Sequence, residues 1–243
     1  MKQVILLATA CITACVSVRA QHVGIGTTTP AFRLDVAGSI NADSVYRIGG
    51  NTVLTVKGTA NTFTGVQSGI ANSTGTENSA VGYRSLFSNA TGSYNTATGM
   101  EALFANTTGT FNTGIGWHAL RANTTGTANA AMGEALEYNT TGSYNTGLGH
   151  GALYQNTTAD ANTAVGSIAL ISNTTGYSNS AFGVDAMRNN TTGSQNTAYG
   201  VHALYSNTIG RRNTAVGYEA LFYTTSLSSD NTAVGNLSLR SNT

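Results

Sequence analysis

Charge of either sign is scarce in this chain: Asp, Glu, Lys and Arg together make up 9% of its 243 residues, and the formal net charge is +1. No basic excess exists to hold phosphates, so nucleic acid is excluded as a partner. Low net charge combined with regularly spaced aliphatic residues also excludes an ordinary disordered tail. Cysteine is nearly absent, and both copies, Cys11 and Cys15, fall within the first 20 residues. Disulfides therefore do not hold the remainder together. Beyond those residues no apolar run is long enough to cross a bilayer as a helix. What fills the chain instead is Asn, Thr, Ser and 29 glycines, a polar surface unlike that of an average enzyme.

The first 20 residues read as a secretory signal. Lys2 supplies the positive start, Val4 to Val18 is largely apolar, and Val18-Arg19-Ala20 is a small-residue cleavage site. The mature chain is then exported, to the cell surface or beyond, and begins near Gln21. Lys2 and Arg19 leave with the signal, taking the basic count from 11 to 9 against 10 acidic residues. A second reading is lipoprotein processing, since Ile12-Thr13-Ala14-Cys15 resembles a lipobox and would leave Cys15 acylated.

One short phrase then recurs. Copies open at Asn61, Asn78, Asn95, Asn112, Asn129, Asn145, Asn162, Asn179, Asn196, Asn213 and Asn231, spaced by 17 residues except for one interval of 16 and one of 18. The unit is Asn-Thr-Ala-apolar-Gly-x-x-Ala-Leu-x-x-Asn-Thr-Thr-Gly-x-x, and its fifth residue is glycine in every copy, from Gly65 to Gly235. Self-similarity at a fixed period is the signature of a repeat architecture. The short copy has only Glu134 between Gly133 and Ala135. The long copy replaces its second turn with residues 223–230. Both irregularities fall where turns are expected.

Thr163-Ala164-Val165 has the alternation of a short strand, with Ala164 on one side and Thr163 and Val165 on the other. Ala-Leu opens a second short element, and Asn-Thr-Thr-Gly ends it in a turn. A unit this small has no room for two helices, whereas strand, turn, strand, turn fits one coil of a β-solenoid. The reading is all-β, with about 17 residues per coil, about 4.8 Å of rise between coils, a leader segment with short β-structure at 21–60, and a β-roll of eleven repeats, the last incomplete, at 61–243. One buried Val and Leu cannot offset the cost of fixing a coil's backbone, so coils must stack. Asn residues in register can form amide ladders between them. Two apolar rows remain, the fourth position (Val81, Ile115, Met132, Leu148, Val165, Phe182, Val216) and the ninth (Leu86, Leu103, Leu120, Leu153, Leu170, Leu204). One thin coil cannot hide both, which predicts association of copies through a leftover row, with Leu103, Leu120, Leu153 and Leu170 as the candidates.

The unit resembles the head repeats of YadA-like trimeric autotransporter adhesins. The resemblance rests on Asn-Thr-Ala-Val-Gly at Asn162–Gly166, Asn213–Gly217 and Asn231–Gly235 and on Asn-Ser-Ala-Val-Gly at Asn78–Gly82, and it covers about residues 61–243. It implies a left-handed parallel β-roll in a homotrimer acting as an adhesive head or rigid spacer. The leader, with Val23-Gly24-Ile25-Gly26 and Arg33-Leu34-Asp35-Val36, looks like those of bacterial surface and phage tail-fibre-like proteins. That likeness implies the alternative of a fibre piece normally followed by a C-terminal intramolecular chaperone. No such domain, coiled-coil stalk or anchor barrel is in the sequence, which stops inside a repeat and reads as a fragment or a short relative.

Catalysis and cofactors find no support. His118, His150 and His202 occupy the sixth or seventh place of separate copies and read as surface decoration, since metal ligation needs convergent ligands. Asp160, Asp185 and Asp230 have no paired carboxylate at a recurring place, as glycoside hydrolysis would need. Asn106, Asn123, Asn139 and Asn173 match a glycosylation pattern that turn formation already explains, and the threonine rows suggest ice binding as a minor alternative. The expectation is a non-enzymatic protein without cofactor or metal, partnering itself and a host matrix protein or glycan. The candidate contact face is Phe111, Trp117, His118, Arg121, Tyr144 and Tyr154, at places where copies vary and large side chains offer contact area.

Overall fold

The computed structural model describes residues 23–25, 34–36, 45–48, 50–55, 57–224 and 228–242. The expected signal peptide 1–20, its cleavage site and Cys15 lie outside the described residues. The chain divides into two compact units at Asp43/Ser44. In the first, Val23–Ile25 pairs in parallel with Leu34–Val36. The second is a β-solenoid, and among the described residues no helix occurs.

Each coil contributes one strand to a single sheet: Thr62–Thr64, Ser79–Val81, Thr96–Thr98, Thr113–Ile115, Ala130–Met132, Thr146–Leu148, Thr163–Val165, Ser180–Phe182, Thr197–Tyr199, Thr214–Val216 and Thr232–Val234. All are parallel and in register by repeat position, so that Thr146 faces Thr163 and Gly147 faces Ala164. Two antiparallel strands, Val45–Ile48 and Asn51–Thr55, complete the 13 strands at one edge. The second of them sets Leu54 against Thr64 and Thr55 against Phe63. Asn51–Thr55, within the leader by sequence, thus pairs with the first coil.

The second strand expected in each coil is replaced by a turn. Ile168 and Leu170 have φ of 53° and 51°, and the seventh and ninth positions of most coils repeat this pair of left-handed residues. A strand cannot continue through them. Among the described residues a second parallel pair forms only between Tyr223–Thr224 and Ser241–Asn242, where the sequence departs from the repeat.

The left-handed turn also decides which row is buried. Leu170 lies fully inside its coil with Ala164 and Ala169. The same three positions make up nearly all of the hydrophobic core. Leu103, Leu120, Leu153 and Leu170, expected to meet a partner chain, are therefore corrected to core residues of their own coils. Two alanines and one leucine fill the interior, so the fourth-position row is left outside. Val81, Ile115 and Met132 are exposed, as are Tyr199 at 61% and Val234 at 69%.

Two buried asparagine ladders staple the stack. In the first, Asn95 Nδ2 donates to Asn78 Oδ1 at 3.1 Å. In the second, Asn106 Nδ2 donates to Asn89 Oδ1 at 2.7 Å. Both amides also donate to the Gly109 carbonyl, at 2.9 and 3.0 Å, which ties the two corners of one coil together. Glycine is required at this turn because a Cβ on Gly109 would sit 2.4 Å from the carbonyl oxygen of Gly126 in the next coil. Asn106, Asn123, Asn139 and Asn173, which match the glycosylation pattern, are fully buried members of this ladder.

Candidate functional site

The seventh and tenth positions flank the left-handed turn, and in-register stacking lines their side chains up along the axis. The result is a charged and aromatic network that the repeat pattern alone does not announce. Glu101 is its hub: its carboxylate accepts from Arg121 Nε at 2.8 Å and from Arg84 at 3.0 Å. The hydrogen bond from Arg121 holds the Glu101 carboxyl below the usual range, against the opposing effect of burial. Phe87 and Phe104 stack with centroids 5.1 Å apart, and Arg84 lies beside the pair with its Cζ 4.6 and 4.5 Å from those centroids, within the reach of a cation–π contact.

His118 sits between two carboxylates, with Nε2 3.5 Å from Glu101 and Nδ1 3.3 Å from Glu137. Its side chain is only 15% exposed, which corrects the reading of surface decoration. The approach of Nδ1 to Glu137 is close in distance but lacks hydrogen-bond alignment. Burial pushes the Glu137 carboxyl up, against the attraction of His118 and with the neighbouring Glu134 carboxyl adding to the rise. Glu134 also meets His150 Nε2 at 2.9 Å. Glu134 and Glu137 both belong to the short copy. A second network repeats the theme in later coils: His202 lies 3.6 Å from Asp185 and 3.8 Å from Glu219, with Arg188 and Arg240 on those two carboxylates.

Four of the six candidate residues meet in the first network. The Trp117 ring stacks on His118 with centroids 3.7 Å apart, and Arg121 holds Glu101. Tyr154 meets Tyr138 edge to face at 5.0 Å. The neighbouring Tyr138 hydroxyl, with burial second, pushes the Tyr154 hydroxyl up to about 12. Phe111 and Tyr144 stand elsewhere, in the seventeenth-position row, where Phe111 stacks flat on Tyr94 with 4.7 Å between centroids. Sequence reasoning missed Glu101, Glu134 and Glu137. The available signal was opposite charge at one repeat position in successive copies: Arg84, Glu101 and His118.

Glu134 and Glu137 are neighbours, and the Glu134 carboxyl raises the cost of ionising Glu137. Among the described residues no group of three or more His, Cys, Asp or Glu is placed to hold a metal ion. Comparison with family models, curated proteins and solved structures finds no match to this chain.

Proposed function

We propose that this chain is a non-enzymatic, exported surface protein: a rigid solenoid that associates with copies of itself and serves as an adhesive head or spacer. The observation that carries the reading is the outward row of fourth-position side chains. Val81, Ile115, Met132, Tyr199 and Val234 stand exposed on the sheet's outer face, and the sixth position adds Tyr83, Met100, Trp117, Val184, Val201 and Tyr218. Contiguous apolar surface on this scale marks an interaction site. A solenoid that is apolar at the fourth position of all its coils but those of Thr64 and Thr98 suits a symmetric bundle. The resemblance to YadA-like heads implies three chains in it.

Adhesion is tested by coating beads with the mature chain and measuring their retention on matrix proteins and glycans, beside a Trp117→Ser, Arg121→Ser variant. Retention that the variant loses supports an adhesive head with its contact at the Glu101 network. Retention unchanged in a folded variant moves the contact off this network, and no retention of either protein leaves the spacer role.

A further inference from the structure

The turn at Asn156 departs from the repeat. It reads Asn156-Thr157-Thr158-Ala159-Asp160-Ala161, whereas the flanking turns have Gly142 and Gly176 at the place of Ala159. Glycine is the rule there because a Cβ would press on the next coil: 2.2 Å from the Gly193 oxygen if built on Gly176, and 2.4 Å from the Ala159 oxygen if built on Gly142. Ala159 carries that Cβ, and the coils stand further apart beside it. Thr157 N–H and Oγ1–H both reach the Thr174 carbonyl at 3.3 Å. The matching bonds one coil earlier, from Thr140 to Thr157, are 2.8 and 2.9 Å. One coil later, from Thr174 to Thr191, they are 2.9 and 3.1 Å.

A notch of about 250 Å³ opens at this point, lined by Thr158, Asp160, Ala161, Thr175, Tyr177 and Ser178. Tyr177 offers a half-exposed ring. The Ser143 N–H donates to Asp160 Oδ1 at 2.7 Å, which aims the carboxylate and leaves its second oxygen to accept. The hydroxyls of Thr158, Thr175 and Ser178 complete a rim of donors and acceptors. An aromatic face beside a fixed carboxylate and several hydroxyls is complementary to a ring with one C–H face and several O–H groups. The volume is below the about 300–1,000 Å³ of pockets that enclose drug-sized ligands, so one ring fits with its neighbours outside.

We propose that this notch is a carbohydrate-binding site. It takes one hexose or N-acetylhexosamine ring of a glycan, with the ring's C–H face on Tyr177 and its hydroxyls on Asp160. The inference deepens the surface-protein reading and rests on it for its setting. Its local logic is that a break in a rule kept by the neighbouring coils marks a place where something other than folding is served.

The test titrates the mature chain with the methyl glycosides of glucose, galactose, mannose, N-acetylglucosamine and N-acetylgalactosamine, read by saturation-transfer NMR and calorimetry. At least one is expected to bind in the millimolar range. Tyr177→Ala is expected to weaken that sugar about tenfold or more. Ala159→Gly restores the residue of the neighbouring turns, so it is expected to fold, to raise the denaturation midpoint, and to weaken binding about tenfold or more by closing the notch. Binding by none of the five sugars, or undiminished binding by Ala159→Gly, overturns the proposal. So does tighter binding of N-acetyl-lysine methylamide than of any sugar, which would assign the notch to a cationic ligand. Mass measured in the same samples keeps the two ideas separable: a monomer that binds sugar sinks the assembly alone, and an oligomer that binds none sinks the notch alone.

Discussion

Asn129 reaches across one coil to Asn112 and uses the same amide oxygen twice, through its backbone N–H at 3.0 Å and its side-chain Nδ2 at 3.1 Å. Asn112 Nδ2 donates to the Gly126 carbonyl at 2.8 Å, and both asparagines are essentially without solvent contact. Asn112→Ala strands the buried Asn129 N–H, at a cost of about 1–3 kcal/mol, while the Gly126 carbonyl keeps Asn123 Nδ2 at 3.1 Å. The urea midpoint is expected to fall by the equivalent of about 1–3 kcal/mol, beyond the change in a control at the exposed Thr96, Thr96→Ala. Equal midpoints for the two variants would remove the ladder from the account.

Phe63 and Gly69 exchange sizes with the rest of the stack. Where other coils pair a small third residue with a ninth-position leucine, the first coil puts the Phe63 ring where a Gly69 side chain would go, 2.4 Å from its Cβ position. Restoring the repeat residue alone, Gly69→Leu, is expected to destabilise by about 1–3 kcal/mol through overpacking. Combining it with Phe63→Ala should recover much of that loss, giving a coupling of about 0.5–3 kcal/mol in a double-mutant cycle. Additive losses would show that the two side chains do not share the space.

Two carboxylates set opposite pH dependences. Burial raises the Glu137 carboxyl in the folded state, so its charged form opposes folding. Stability is lost as pH climbs from the unfolded-state value through the raised folded one. Glu137→Gln should therefore raise the melting temperature at pH 8 and have no such advantage at pH 3.5. Glu101 is lowered by Arg121. Its contribution is present above the unfolded-state value and disappears as pH falls through the folded one. Glu101→Gln should then cost stability at pH 7 and little at acid pH. Melting curves with both variants shifted the same way at pH 8 would contradict this assignment.

Period, coil size and the all-β class were legible because Asn and Gly recur for steric and hydrogen-bonding reasons that act on every coil. The buried row was not, since Leu103 and Ile115 are equally apolar and only the left-handed φ of 52° at Leu103 turns it inward. Leucine rarely adopts that conformation, so a strand was the better sequence reading. The neighbouring Glu134 and Glu137 were hidden for a different reason: they occur in the one short copy, so the repeat offers no second example of them. Trp117, His118, Arg121 and Tyr154 were found together because they hold variable positions, three of them in one coil and Tyr154 two coils on. Phe111 and Tyr144 are as variable, and nothing in the sequence tells which corner of the coil a variable place lies on.

The most direct measurement is sedimentation equilibrium of residues 21–243 at micromolar concentration, run beside a variant with Val165→Lys and Tyr199→Lys on the outer sheet face. Expected is a defined oligomer, three chains on the resemblance to YadA-like heads, reduced to a monomer in the variant with an unchanged β circular dichroism spectrum. A parent chain that is a stable, folded monomer would contradict the claim that the fourth-position row is an association surface.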